Sequence, residues 1–88
     1  MTVSLLTYNS EISGMMATLC SWESWLGPYH PQTLRLTVEL GIALWHEGDT
    51  VRARPLLLRA ARDIERALGS DHELRLRALA ALRRLRTY

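Results

Sequence analysis

Apolar residues recur along the chain at steps of three and four, the spacing that lines up one face of a helix. Tyr8, Ile12, Met15, Leu19, Trp22 and Leu26 form such a stripe and predict a helix from about Val3 to Leu26. Gly27-Pro28-Tyr29-His30-Pro31 stops it, because prolines so closely spaced cannot continue a helix. A second helix reads from Gln32 to His46, with Leu36, Leu40 and Leu44 as its stripe and Ala43 alongside. Gly48-Asp49 breaks the pattern: Gly suits the end of one helix and Asp caps the free N–H groups of the next. The third helix, Thr50 to Leu68, buries Ala53, Leu57, Ala60, Ile64 and Leu68, with a slight kink expected at Pro55. After Gly69, Ser70-Asp71-His72-Glu73 reads as a capping box with Ser70 at the N-cap and Glu73 three residues on. A fourth helix then extends to about Thr87 on Leu74, Ala78, Ala81, Leu85 and Tyr88, with Leu79 and Leu82 widening its face.

The chain is also similar to itself. Leu26-Gly27-Pro28-Tyr29-His30 recurs as Leu68-Gly69-Ser70-Asp71-His72, an offset of 42 residues. At the same offset Leu34-Arg35 matches Leu76-Arg77, and Leu40 matches Leu82. The period equals one helix–turn–helix unit. Such a unit cannot bury its apolar face alone and stacks on its neighbours.

Leu40-Gly41-x-x-Leu44, followed by Ala53-x-x-x-Leu57 and Ala60, resembles the tetratricopeptide repeat family. The 42-residue period and the Leu-Gly-x-x-His-Pro connector are similar to the variety found in kinesin light chains. The resemblance implies an all-α, right-handed helix–turn–helix stack of about four antiparallel helices. Residues 27–69 form the full repeat, residues 1–26 a half repeat and residues 70–88 a terminal helix. Gly41 and Ala53 are small enough for the second and third helices to approach closely, with Leu40, Leu44 and Leu57 filling the space beside them. Arg83 stands at the position of Gly41, and Glu11 and Thr18 stand at those of Ala53 and Ala60. By the same resemblance, Arg35, Val38, Ile42, Trp45 and His46 line an inner surface. Their counterparts on the fourth helix are Arg77, Ala80, Arg84, Thr87 and Tyr88. An aromatic and aliphatic floor beside arginines suits a peptide with acidic and apolar groups. Trp22 and Trp25 are expected to pack within the molecule.

Composition sharpens this picture in one respect. Residues 1–49 carry one Arg against five acidic residues, a net of −4, whereas residues 50–88 carry ten Arg against four, a net of +6. The basic half raises a second reading, an Arg-rich helical protein that binds nucleic acid. Asp63, Glu65, Asp71 and Glu73 interrupt the run, and no groove-reading motif is present. Cys20 is the sole cysteine, which excludes an internal disulfide and fits a buried thiol in the cytoplasm. No signal peptide and no membrane-length apolar run are read. His30 and His72 share a repeat position and are expected to pack or hydrogen-bond at the turns. His46-Glu47-Gly48-Asp49 reads as a capped helix end rather than a metal site. No catalytic motif, cofactor loop or metal-ligand spacing is found, so no enzyme is expected. The expected function is protein–protein interaction, with a homodimer covering the apolar excess of the first and fourth helices.

Overall fold

A computed structural model describes the backbone of residues 2–86 and the side chains of residues 11–85. Four helices follow in order: α1 (Thr2–Trp25), α2 (Pro31–His46), α3 (Thr50–Leu68) and α4 (Glu73–Arg86). There is no strand among the described residues, so the chain is an all-α stack. Its dimensions of 42 × 35 × 17 Å make a slab about two helices thick. A body this thin has broad faces and little interior. One helix must therefore lie against all the others.

That helix is α2, which touches α1, α3 and α4. Thr33, Leu34, Leu36, Thr37, Val38, Leu40, Gly41 and Leu44 are all buried on it. Its stripe is broader than Leu36, Leu40 and Leu44 predict, because a helix with neighbours on three sides keeps only a narrow solvent face, here Gln32, Arg35, Glu39 and His46. Two threonines are buried there. The Thr37 hydroxyl donates to the Thr33 carbonyl at 2.9 Å, which satisfies that group locally, whereas the Thr33 hydroxyl has no hydrogen-bond partner. Ala53, Leu57, Ala60 and Ile64 on α3 are each fully buried, as the periodicity predicts. So are Ile12 and Leu19 on α1, and Leu74, Ala78, Ala81, Leu82 and Leu85 on α4. Tyr8 and Tyr88 lie outside the side chains described.

Gly41 is the close-approach point. A Cβ placed on it would lie 2.7 Å from both Cγ and Cδ2 of Leu57. The nearest atoms belong to Leu57, one turn beyond the Ala53 expected from the family pattern. The small residue on α2 thus receives a large side chain from α3.

The two similar turns are built alike. Gly27 and Gly69 have φ of 91° and 106°, a left-handed conformation that suits glycine. Three residues later a histidine caps the next helix. His30 Nδ1 accepts the Gln32 amide at 3.1 Å, and His72 Nδ1 accepts the Leu74 amide at 3.1 Å. This corrects the expected capping box: α4 begins at Glu73, and His72, not Ser70, supplies the cap. An imidazole acceptor reaches its helix from one residue outside, which a search for Ser, Thr, Asp or Asn at the cap passes over.

The α2–α3 turn closes differently. Asp49 N–H donates to Leu44 O at 2.8 Å and Gly48 N–H to Trp45 O at 2.9 Å, the paired bonds of a Schellman end. Asp49 then caps α3, its Oδ1 accepting the Arg52 amide at 3.1 Å. The α3 helix runs unbroken through Pro55. The carbonyl that Pro55 leaves without an amide belongs to Val51, a residue 83% exposed.

Candidate partner-binding groove

α4 leans against α2, and the two helices enclose a groove of about 260 Å³. Ile42, Trp45 and His46 line it from α2, and Arg77, Ala80 and Arg84 from α4. The contributions from α4 follow the repeat. Ala80 and Arg84 are 42 residues from Val38 and Ile42, so each helix offers the face that its register dictates.

Of the residues predicted for this surface, the structure brings six together: Ile42, Trp45, His46, Arg77, Ala80 and Arg84. Arg35 is exposed but outside the lining. Val38 has no exposed surface and belongs to the core, so its prediction as a contact residue is corrected. It sits on the flank of α2 that the neighbouring helices cover. Tyr88 and Thr87 lie outside the described residues.

The floor is aromatic. The rings of Trp45 and His46 lie 4.9 Å apart at 39°, within the range of favourable ring contacts. A second hollow of about 420 Å³ shares both residues and continues onto Gly48 and Thr50 past the α2–α3 turn. Trp45 is half-buried, so one part packs on the core and the rest faces the groove. Arg77 is exposed and, among the described residues, makes no ion pair. Asp49, the acid next to Gly48 and Thr50 in the chain, is already engaged. The Arg52 side chain, bonded at 2.6 Å, and the Arg52 amide hold its carboxyl below the usual carboxylate range. The groove is thus apolar below and cationic along its α4 wall.

Two further expectations are overturned. Cys20 is exposed rather than buried. Trp25 is 86% exposed rather than packed, while Trp22 does pack against the core. Both departures fall on α1, which among the described residues packs on α2 and reaches α3 through the Glu23–Arg59 ion pair at 3.5 Å. A 24-residue helix packed on one neighbour leaves much of its circumference open. Among the described residues no three His, Cys, Asp or Glu side chains cluster to hold a metal ion. No described helix is long and apolar enough to cross a membrane. Comparison with protein-family models, with curated proteins and with solved structures finds no match.

Proposed function

We propose that this chain is a tetratricopeptide-type interaction module that takes an acidic, apolar peptide segment of a partner protein in the α2/α4 groove. One observation supports the reading: side chains from α2 and α4 converge on one groove, with Trp45 as floor and Arg77 and Arg84 as wall. A half-buried aromatic floor beside guanidinium groups is the composition that dominates protein-binding hot spots. Carboxylates of a partner can be held by bidentate bonds from arginine. The reading involves no catalytic step and no cofactor. An exposed, unpaired Cys20 fits a reducing compartment such as the cytoplasm.

Selection from a displayed peptide library tests this. Recovered peptides are expected to combine Asp or Glu with aromatic or aliphatic residues. Their binding is expected to be lost with Trp45→Ala and with Arg77→Glu, at unchanged helicity. Recovery of peptides without acidic enrichment, or binding indifferent to both substitutions, would refute it. A salt titration on nonspecific DNA separates the nucleic-acid reading, for which affinity falls steeply and linearly on a log–log scale.

A further inference from the structure

We propose that the groove between α3 and α4 is the seat for α1 of a second copy of this chain, so that copies associate head to tail. This groove, about 500 Å³, is lined by Arg54 and Leu58 from α3 and by Leu79, Leu82 and Arg83 from α4. It is distinct from the peptide groove, and the inference stands whether or not that groove binds a peptide.

The repeat register says what kind of helix belongs there. On α2, Leu34, Thr37 and Leu40 are 1%, 3% and 2% exposed, and Gly41 is buried against Leu57 of α3. Their counterparts 42 residues on are Leu76, Leu79, Leu82 and Arg83. Leu76 is 55% exposed, Leu79 is half-buried and Arg83 is exposed. Leu82 alone of the four is buried; the rest of the face that α2 buries is the face that α4 leaves partly open.

The matching half lies on α1. The face of α3 that covers α2 is Ala53, Leu57, Ala60 and Ile64, all fully buried. The same offset places Glu11, Met15, Thr18 and Trp22 at those positions on α1. Glu11 and Thr18 are exposed, and Met15 and Trp22 are half-buried. Trp25, one step further along this stripe, is 86% exposed. Met15 and Trp22 are partly packed on the core, so the two incompletely covered stripes are, by register, the two sides of the α2/α3 interface.

Charge selects the pairing. Arg54 and Arg83 flank the α3/α4 groove, and two such grooves facing each other would bring like charges together. α1 carries no basic residue. Where Gly41 meets Leu57 within the chain, the second copy would set Met15 against Arg83, with Glu11 one turn, about 5.4 Å, along α1. Two large residues at that point hold the helices further apart than α2 and α3, and the long Arg83 side chain reaches across the wider gap to Glu11. An isologous dimer through α4 is disfavoured on this ground. A heterologous contact repeats until it closes into a ring or extends into a filament.

Sedimentation velocity over a concentration series reads the association. Glu11→Arg or Arg83→Glu alone is expected to weaken it by about tenfold or more, because each puts like charges face to face. Both reversals in one chain are expected to restore it. Circular dichroism checks that each variant stays folded, and both sites are exposed. Direction is read separately by cysteine cross-linking in a Cys20→Ser background, mixing Glu11→Cys chains with Arg83→Cys chains. Mixed cross-links supply the expected result. A wild-type chain that stays monomeric up to about 100 μM, a range in which weak specific contacts populate, overturns the proposal. So do reversals without effect, a double reversal that fails to restore association, or cross-links only between identical variants. In every case, peptide binding to Arg83→Glu remains a separate measurement of the α2/α4 groove.

Discussion

Gly41 and Gly14 are both glycines inside helices, and replacing each by alanine should move stability in opposite directions. Alanine favours a helix over glycine by about 0.8–1.0 kcal/mol wherever nothing else changes. At Gly14 nothing else does: a Cβ there meets no atom within 4 Å. Gly14→Ala is therefore expected to stabilise by about 0.5–1 kcal/mol. At Gly41 the same Cβ would stand 2.7 Å from Leu57 Cγ and Cδ2. Leu57 has no exposed surface, and Cγ is the branch point of its side chain, so it cannot swing clear. Either α2 and α3 separate or Leu57 leaves its rotamer, an overpacking cost of about 1–3 kcal/mol. The propensity gain is common to both variants and cancels in their difference. Gly14→Ala should thus exceed Gly41→Ala in stability by about 1–3 kcal/mol, which is also the packing term itself. In a domain of 88 residues each kilocalorie moves Tm by about 4–8 °C. Urea unfolding followed by far-UV circular dichroism measures the gap, with the slope checked for constancy. A gap below about 0.5 kcal/mol, the scatter of ordinary surface changes, would show that α2 and α3 do not meet at Gly41.

His30→Ala and His72→Ala should each destabilise by about 0.5–2 kcal/mol by removing an N-terminal cap, whereas Asn at either position, a good capping residue, should recover most of the loss. Equal stability of the Ala and Asn variants in urea unfolding would show that the imidazole acceptors do not matter. For Asp49, the folded-state value lies below the ordinary 3.8. Its contribution is therefore complete above that value and disappears as pH falls through the lower folded value. The stability advantage of wild type over Asp49→Asn should be constant at neutral pH and shrink below about pH 4. Urea titrations at several acidic pH values would show it, and an advantage that grows on acidification would contradict the Arg52 contact.

Much of this architecture is legible in the order of residues because the helices are amphipathic and their turns are punctuated. On α3 the alternation of Arg with Leu and Ala is regular enough to name Ala53, Leu57, Ala60 and Ile64 as buried, although Ala61 joins them and Leu68 is only half-buried. On α2 the periodicity names Leu36, Leu40 and Leu44 but not Val38 or Thr33, since a stripe read from one helix does not reveal how many neighbours surround it. Val38 was placed on the inner surface by family register, and the three-sided packing of α2 removed it. α1 fails in the opposite sense. Its apolar residues, among them Cys20 and Trp25, are spread round the helix, and no local signal says that only α2 will cover them. The cap at His72 is hidden by a better-known pattern, Ser followed by Glu, whose serine stands two residues earlier. The groove is legible from helical register, which keeps Ile42, Trp45 and His46 on one face of α2 and Arg77, Ala80 and Arg84 on one face of α4.

The groove also depends on residues remote from it. Ile42 and Trp45 belong to α2, but Arg77 and Arg84 belong to α4, and α4 reaches its place through the turn that ends α3. Gly69 reverses the chain there with φ of 106°, and His72 starts α4 in a fixed orientation. Arg75 ties the start of α4 back to that corner, donating to Ser70 O at 3.0 Å and pairing with Glu65 at 3.4 Å. The Arg75 pair is partly exposed and contributes little to stability as an isolated ion pair. Its geometric effect is larger than its energy, because a small rotation of α4 about its start is magnified along a 14-residue helix. At 1.5 Å per residue, Arg84 lies about 16 Å from Glu73, so a tilt of only a few degrees moves the far guanidinium by about 1 Å, enough to spoil a bidentate contact. Stability and recognition therefore separate at this corner: Arg75→Ala should leave the melting temperature nearly unchanged while weakening any ligand that spans Trp45 and Arg84. Equal affinity for such a peptide in wild type and Arg75→Ala would show that α4 is held by its buried face alone.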